Sequence, residues 1–394
     1  SQPGLRALDA STDRTLLKRR SVDDSEIFAR KSYRHFEGEK AAVSLENVAA
    51  VVRSAILRRE IVKLMASAVN IGYRLDCLAQ YQSANLVLPK YQYASAGSLY
   101  SVQTYVIVSP KACESMSELD SAGLYYYDPV GHGLVHVGAW DPMFLNIEEP
   151  NAPVVVLLGK DKAIRPLYGP MADVLNPLNA GYMVGALGLP TTGAVDPKVA
   201  GDLVKKAADA SEDDKVLYEC LLSSGEGSNT NVQIFVEMFS NEEDVKESQW
   251  YEYVDGAFQA SAGSAGYGKK ESGVNAPIRE NASFGIYIMC AEDTNPLTAA
   301  IEVGAVAHEL TVAGPQRGLG LCPIGMRSDS QVIHALYGGA ISKEQTHAVA
   351  LTPGVKAPLN VPSASSDDAT LQSFLGGLVP KYMVPSHYIW MDTL

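Results

Sequence analysis

NAPVVVLLGKDKAIRPLYGPMADVLNPLNAGYMVGAL, residues 151–187, runs from an unbroken aliphatic string through a charged turn into a helical pattern of small residues. NASFGIYIMCAEDTNPLTAAIEVGAVAHEL, residues 281–310, repeats that order: Asn-Ala, a strand, a charged turn, then a helix carrying glycine among small residues. Short apolar runs bounded by turn residues read as strands, and longer stretches with apolar recurrence every three to four residues read as helices. Strands interspersed with helices in both halves predict an α+β class, an antiparallel or mixed central sheet flanked by helices. A partial internal duplication and a chance recurrence of strand, turn and helix both account for the echo.

Working outward, Ser44 heads LENVAAVVRSAIL, in which Leu45, Val48, Val52 and Ile56 recur at helical spacing. TYVIV from Thr104, LYYYD and LVHV on either side of Gly131, and VVVLL from Val154 are short, β-branched or aromatic, and read as strands, the middle two as a hairpin. VAGDLVKKAADA after Pro197 predicts a helix, and Ser211 with the acidic residues behind it predicts the start of another. VQIFVEMF and FGIYIMC follow as strands, LTAAIEVGAVAHELTVAG as a long helix, and GLGLCPIG as a tight apolar turn.

The 394 residues are 46% hydrophobic and 20% charged, enough to bury a large core in two or three structural units. A formal net charge of -13 would repel rather than steer a nucleic-acid backbone, so no nucleic-acid partner is expected. The five cysteines stand far apart with no CxxC, as in a reducing compartment, and predict no metal site. No apolar run reaches the ~20 residues that cross a bilayer, and SQPGLRALDASTDRTLLKRR lacks an apolar signal core, so a cytoplasmic location with no membrane partner is expected.

Three clusters carry chemistry. In ARKSYRHF, Arg30, Ser32 and Arg34 alternate and would point the same way on an extended segment, two guanidiniums and a hydroxyl suited to a phosphate. A solvated basic turn would use the same residues. In LPKYQYASAGSLYSVQ, the small residues Ser95, Ala96, Gly97 and Ser98 let the backbone approach a flat ring, with Lys90, Tyr91, Tyr93 and Tyr100 crowded around them. GLGLCPIGM, with Pro323, Ile324 and Gly325 ahead of Arg327, could cover one face of such a ring or simply join a helix to a strand. GSAGYGKK, residues 263–270, nearly fits a phosphate-binding loop, but Lys270 stands where the magnesium-binding hydroxyl belongs.

Together these clusters resemble the nitroreductase-like flavoenzymes, most closely their thiazoline and oxazoline dehydrogenase branch, over most of residues 1–350. The resemblance implies that Arg30, Ser32 and Arg34 hold the FMN phosphate, that the segment from Ser95 through Ser98 to Gln103 contacts the isoalloxazine, and that Pro323, Ile324, Gly325 and Arg327 form the late flavin-contacting turn. That family's Lys-Tyr pair finds Tyr168 at the tyrosine, but Leu167 stands in the lysine's place. Tyr168 therefore comes first as the base, with Lys90 and Tyr91 kept as candidates. A tyrosine, with a reference pKa of about 10, acts as a base only if a cation or buried donor lowers it.

LQSFLGGLVPKYMVPSHYIWMDTL resembles the C-terminal subdomain of a nonribosomal peptide synthetase adenylation domain, which makes the chain resemble the FMN-dependent oxidase domain of such a synthetase, cut from a larger protein. The expected layout is an N-terminal extension (1–29), a nitroreductase-like first part (30–188), an insertion or degenerate repeat (189–280), a nitroreductase-like C-terminal part (281–354), a Pro- and Ser-rich linker (355–370) and the adenylation fragment (371–394). The resemblance implies oxidation of a thiazoline or oxazoline, tethered to a peptidyl carrier protein's phosphopantetheine, to the azole, with FMN as hydride acceptor and molecular oxygen reoxidising it. Cα–Cβ desaturation of a tethered amino acid, as in indigoidine-type synthetases, is the neighbouring reading, and a flavin-free scaffold that binds a carrier or partner domain is the non-enzymatic one. The adjoining adenylation domain is an expected partner, and the chain is expected as a homodimer or a single-chain pseudo-dimer.

Overall fold

The structure, a computed structural model, describes residues 3–20, 29–38, 42–66, 70–81, 90–116, 118–145, 149–191, 197–222, 232–239, 249–261, 275–290, 294–327, 333–342 and 345. The side chains of 60–66, 197–200, 326, 327 and 333 lie outside that description, as do residues 263–270, the expected linker and the adenylation-like tail. In chain order the elements are β1 (Thr15–Leu16), α1 (Leu45–Ala66), α2 (Ile71–Leu75), β2 (Val102–Val108), α3 (Pro110–Glu114), β3 (Gly123–Asp128), β4 (Gly133–Ala139), β5 (Val154–Gly159), α4 (Asp161–Tyr168), α5 (Ala172–Leu187) and α6 (Pro197–Ala207). There follow β6 (Lys215–Leu221), β7 (Val232–Met238), β8 (Gln249–Val254), β9 (Ala257–Ala260), α7 (Ala276–Asn281), β10 (Phe284–Cys290), α8 (Pro296–Gln316), β11 (Leu319–Arg327) and β12 (Ile333–Ala340).

The α+β class holds, but the strands divide between two antiparallel sheets rather than one, in the orders β1-β4-β3-β2-β5-β6 and β11-β12-β10-β7-β8-β9. Their topology matches. Over five strands of each, a three-strand meander (β2-β3-β4, β7-β8-β9) is followed by a strand that pairs back onto the first of the three, and a later strand lies beside that one (β6 on β5, β12 on β10); the sixth strands differ, β1 flanking β4 and β11, which precedes β12 in the chain, flanking β12. The two echoing sequences occupy equivalent places, 151–187 forming β5, α4 and α5, and 281–310 forming β10 and most of α8.

Helices α5 and α8 meet where the halves join, and the contact is reciprocal. A Cβ on Gly181 would lie 2.4 Å from the Ile301 carbonyl oxygen, and one on Gly304 would lie 2.4 Å from that of Leu178. The glycines are there because the backbones touch. Around this contact one core draws on both sheets, with Val106 and Leu157 from the first, Ile286 and Leu336 from the second, and Leu178 and Val303 from the helices. The outer faces are closed separately: Val204 of α6 packs with Tyr105 and Val156, and Ile278 of α7 packs with Trp250 and Tyr287.

Several local expectations change. Ser44 caps α1, its Oγ accepting from the Asn47 N–H at 3.2 Å, and Val48 and Val52 are buried, but Ile56 is 41% exposed because the buried stripe passes through Val51 and Ala55. Ser211 starts no helix. Asp214 accepts from the Ser211 N–H at 2.9 Å and, 2.9 Å away, from the Asp161 N–H, so its carboxylate caps α4 while its own segment turns into β6. GLGLCPIG is no turn but most of β11, an edge strand whose pairing with β12 slips between Pro323 and Gly325. Residues 189–280 supply α6 and β6 to the first sheet and β7, β8 and β9 to the second.

Candidate functional site

The loop before β2 is backbone-strained. Gly97, Ser98 and Tyr100 all take positive φ, at 59°, 56° and 48°; for the two non-glycines this costs on the order of 1–3 kcal/mol each. Such strain persists only where neighbours impose it. Ser95 Oγ accepts from the Tyr100 N–H at 2.9 Å, and Asn179 Oδ1 on α5 accepts from the Ala96 N–H at 3.0 Å. Asn179 Nδ2 donates to Ser101 Oγ at 3.2 Å, and that hydroxyl donates to Asn176 Oδ1 at 2.5 Å. The sequence reading passed over both asparagines, although two amides inside the apolar LNPLN stretch must find partners when buried.

Tyr168 lies over this loop. A Cβ on Gly97 would sit 3.0 Å from the Tyr168 hydroxyl and 3.3 Å from Leu167, a tight fit at a positive φ that favours glycine. The half-buried Tyr168 ends α4, where Gly169 at φ 53° turns the chain. Burial pushes its pKa up, and Arg34 draws it back only in part. The predicted cation is thus present, but it does not lower the net value.

Residues 30–37 run along the second sheet, the Tyr33 N–H donating to the Leu321 carbonyl at 3.1 Å and the Glu37 N–H to that of Ala340 at 2.8 Å. Arg30, Ser32 and Arg34 do not share one side: Arg30 and Tyr33 are buried, and Ser32 and Arg34 are exposed. The charge of Arg34 acts on both Tyr168 from the first half and Cys322 on β11 from the second. The segment therefore stands where the halves meet.

Arg30 is 7% exposed, and its Nη2 donates to the Tyr91 carbonyl at 3.2 Å while Nε and Nη1 have no hydrogen-bond partner among the described residues. Lys90 Nζ donates to the Arg30 carbonyl. Burial, then the charges of Arg30 and Lys31, hold the Lys90 ammonium well below the usual lysine range. Among the described residues no carboxylate pairs with Arg30 or Lys90. A buried guanidinium with unmatched donors is costly, and an anion would satisfy both its charge and its hydrogen bonds.

The remaining expected residues are placed as follows. Tyr91 is wholly buried, its hydroxyl accepting from Gln80 Nε2 at 2.9 Å and its ring stacked on Tyr100 at 3.8 Å; burial pushes its pKa far up. Gln103 donates to the Gly4 carbonyl and accepts from the Tyr105 hydroxyl, both at 2.9 Å, and lines a small pocket with Tyr91, Tyr93 and Tyr100. Pro323, Ile324 and Gly325 are half-buried on β11, and the side chain of Arg327 falls outside the described residues. His334 and Tyr182, also missed, link Gly325 to α5. Among the described residues no His, Cys, Asp and Glu group is placed to hold a metal, and no helix is long and apolar enough to cross a membrane.

No family model matches the sequence. Two relatives do, each along 93% of this chain: indigoidine synthase of Dickeya dadantii, 27% identical over 396 residues, and indigoidine synthase of Streptomyces lavendulae, 26% identical over 409. The chain covers only 25% and 29% of those two proteins. Solved structures that resemble it include a nitroreductase candidate of Anabaena variabilis, with a TM-score of 0.42 and 11% identity over 79% of this chain and 93% of that one.

Proposed function

We propose that the chain is an FMN-dependent oxidase of nitroreductase-like fold that takes two electrons from a substrate tethered to a peptidyl carrier protein within a nonribosomal peptide synthetase. The observation that carries this reading is Arg30, a buried guanidinium with two nitrogens that find no partner among the described residues, set near the aromatic residues of a strained small-residue loop. Arg30 would hold the phosphate from the buried side of its segment, without Ser32 and Arg34, which are exposed; Ser95 through Ser98 would back the ring, and Pro323 through Gly325 would wall it from the second half. When bound, FMN would accept a hydride from carbon and pass the electrons to molecular oxygen.

The chain's own task is then to remove the proton that leaves with the hydride. Tyr168 is the first candidate for this, a role its position over Gly97 supports, and Lys90 is the second, a role its depressed pKa supports by favouring the neutral amine. Tyr91 is enclosed by Gln80 and Tyr100 and serves the site by packing.

Both curated relatives are indigoidine synthases, matched over nearly all of this chain, which favours desaturation of a tethered amino acid over aromatisation of a thiazoline or oxazoline. Intact-mass analysis of two carriers, one loaded with a glutaminyl group and one with a cysteine-derived thiazoline, separates the readings. Loss of two hydrogens from the glutaminyl carrier is the expected result. Loss from the thiazoline alone would restore azole formation, and loss from neither would remove the oxidase reading.

A further inference from the structure

Helix α5 touches both walls of the candidate site. Asn179 fixes the loop at Ala96, and three residues later the Tyr182 hydroxyl lies 2.9 Å from His334 Nε2, with both side chains buried. His334 Nδ1 lies 2.7 Å from the Gly325 carbonyl oxygen. A carbonyl only accepts, so Nδ1 carries the proton and Nε2 accepts from Tyr182, which fixes the direction of the whole relay. Burial lowers the His334 pKa to about 4, in keeping with a neutral ring.

The relay ends on an irregular piece of backbone. Pro323 pairs with Leu336 and Gly325 with Ala335, so Ile324 is an extra, bulged residue. Gly325 has φ 132°, a conformation that a residue with a Cβ rarely adopts. A bulge interrupts the ladder and re-aims the strand, and His334 supplies a partner to the displaced carbonyl.

We propose that Tyr182 and His334 are positioning residues that tie the kinked backbone of Pro323–Gly325 to the helix that also ties down the Ser95–Ser98 loop, so that the two walls keep a fixed spacing. The inference rests on the flavin reading only for the identity of what lies between the walls. Neither residue needs to touch substrate.

The test is amide hydrogen exchange on the cofactor-free chain, together with FMN titration. Tyr182→Phe and His334→Leu should each speed exchange across Leu319–Gly325 by about tenfold, the loss expected for one buried hydrogen bond, and leave β5 unchanged. FMN affinity should fall by a similar factor in both. His334→Gln, whose amide can donate and accept, should restore protection and affinity. Unchanged exchange across Leu319–Gly325 in Tyr182→Phe, or equal acceleration in β5, would overturn the proposal. If the unmodified chain binds no FMN, the flavin reading fails, and the exchange result alone decides the positioning role.

Discussion

Arg30 costs the cofactor-free chain stability, because burial opposes its charge and two of its nitrogens lack partners among the described residues. Arg30→Met keeps the length of the stem without the charge. It should raise the thermal midpoint of the cofactor-free chain, and lower FMN affinity by about ten- to a hundredfold, the worth of one charged hydrogen bond. Calorimetry and flavin titration on the same variant check both signs. The choice between Tyr168 and Lys90 is also made at this scale. Burial puts the Tyr168 pKa above its ordinary value, so if Tyr168 is the base, kcat/KM should climb steadily from pH 7 to pH 9 and Arg34→Gln should depress it throughout. The Lys90 pKa lies well below its ordinary value, so a lysine base would make kcat/KM level off at lower pH than a tyrosine base, and Lys90→Met would abolish it. The motif residues were legible in sequence because Arg, Gly and Tyr are conspicuous. Asn176, Asn179, Tyr182 and His334 were not, since their meaning lies in partners from 9 to 152 positions away.

Among the elements, β2, β5, β10 and α8 were readable because their apolar runs are buried along nearly their whole length. β6 was misread because its cap chemistry serves another element. Asp214 holds the first turn of α4 through the Asp161 N–H, with Lys160 at its other oxygen. Burial alone would raise the Asp214 pKa, but Lys160 and the two backbone N–H groups outweigh it and the net shift is downward. A depressed carboxylate pKa adds stability that is complete above the unfolded value of about 3.9 and is lost as pH falls through the folded one. Asp214→Asn should therefore cost about 1–2 kcal/mol at neutral pH, and urea midpoints of variant and wild type should converge in acid. β11 was misread because its glycines and proline suggest a turn, whereas β12 pairs with it along nearly its full length. The α5–α8 crossing makes its own demand: Gly181→Ala or Gly304→Ala drives a methyl into a carbonyl 2.4 Å away, and should cost about 1–3 kcal/mol in urea unfolding unless the helices move apart.

For the whole molecule, the echo of residues 151–187 in 281–310 pointed to related halves, and the matched strand orders give that echo a structural counterpart. The division into two sheets was not legible, because which strands pair is set by contacts far along the chain. The halves share one core and cross reciprocally at Gly181 and Gly304, the arrangement a two-fold dimer would otherwise provide. The proposed site draws its loop and Tyr168 from the first half and its β11 wall from the second, both within one chain. Light scattering should accordingly find a single chain in solution, whereas a tight dimer that dissociates with loss of flavin would place the second wall in another copy. Titration of the folded chain with FMN, followed by flavin fluorescence, is the most direct check. One FMN bound per chain, with weaker binding in Arg30→Met, is the predicted result, and a folded chain that leaves all the flavin free would contradict it.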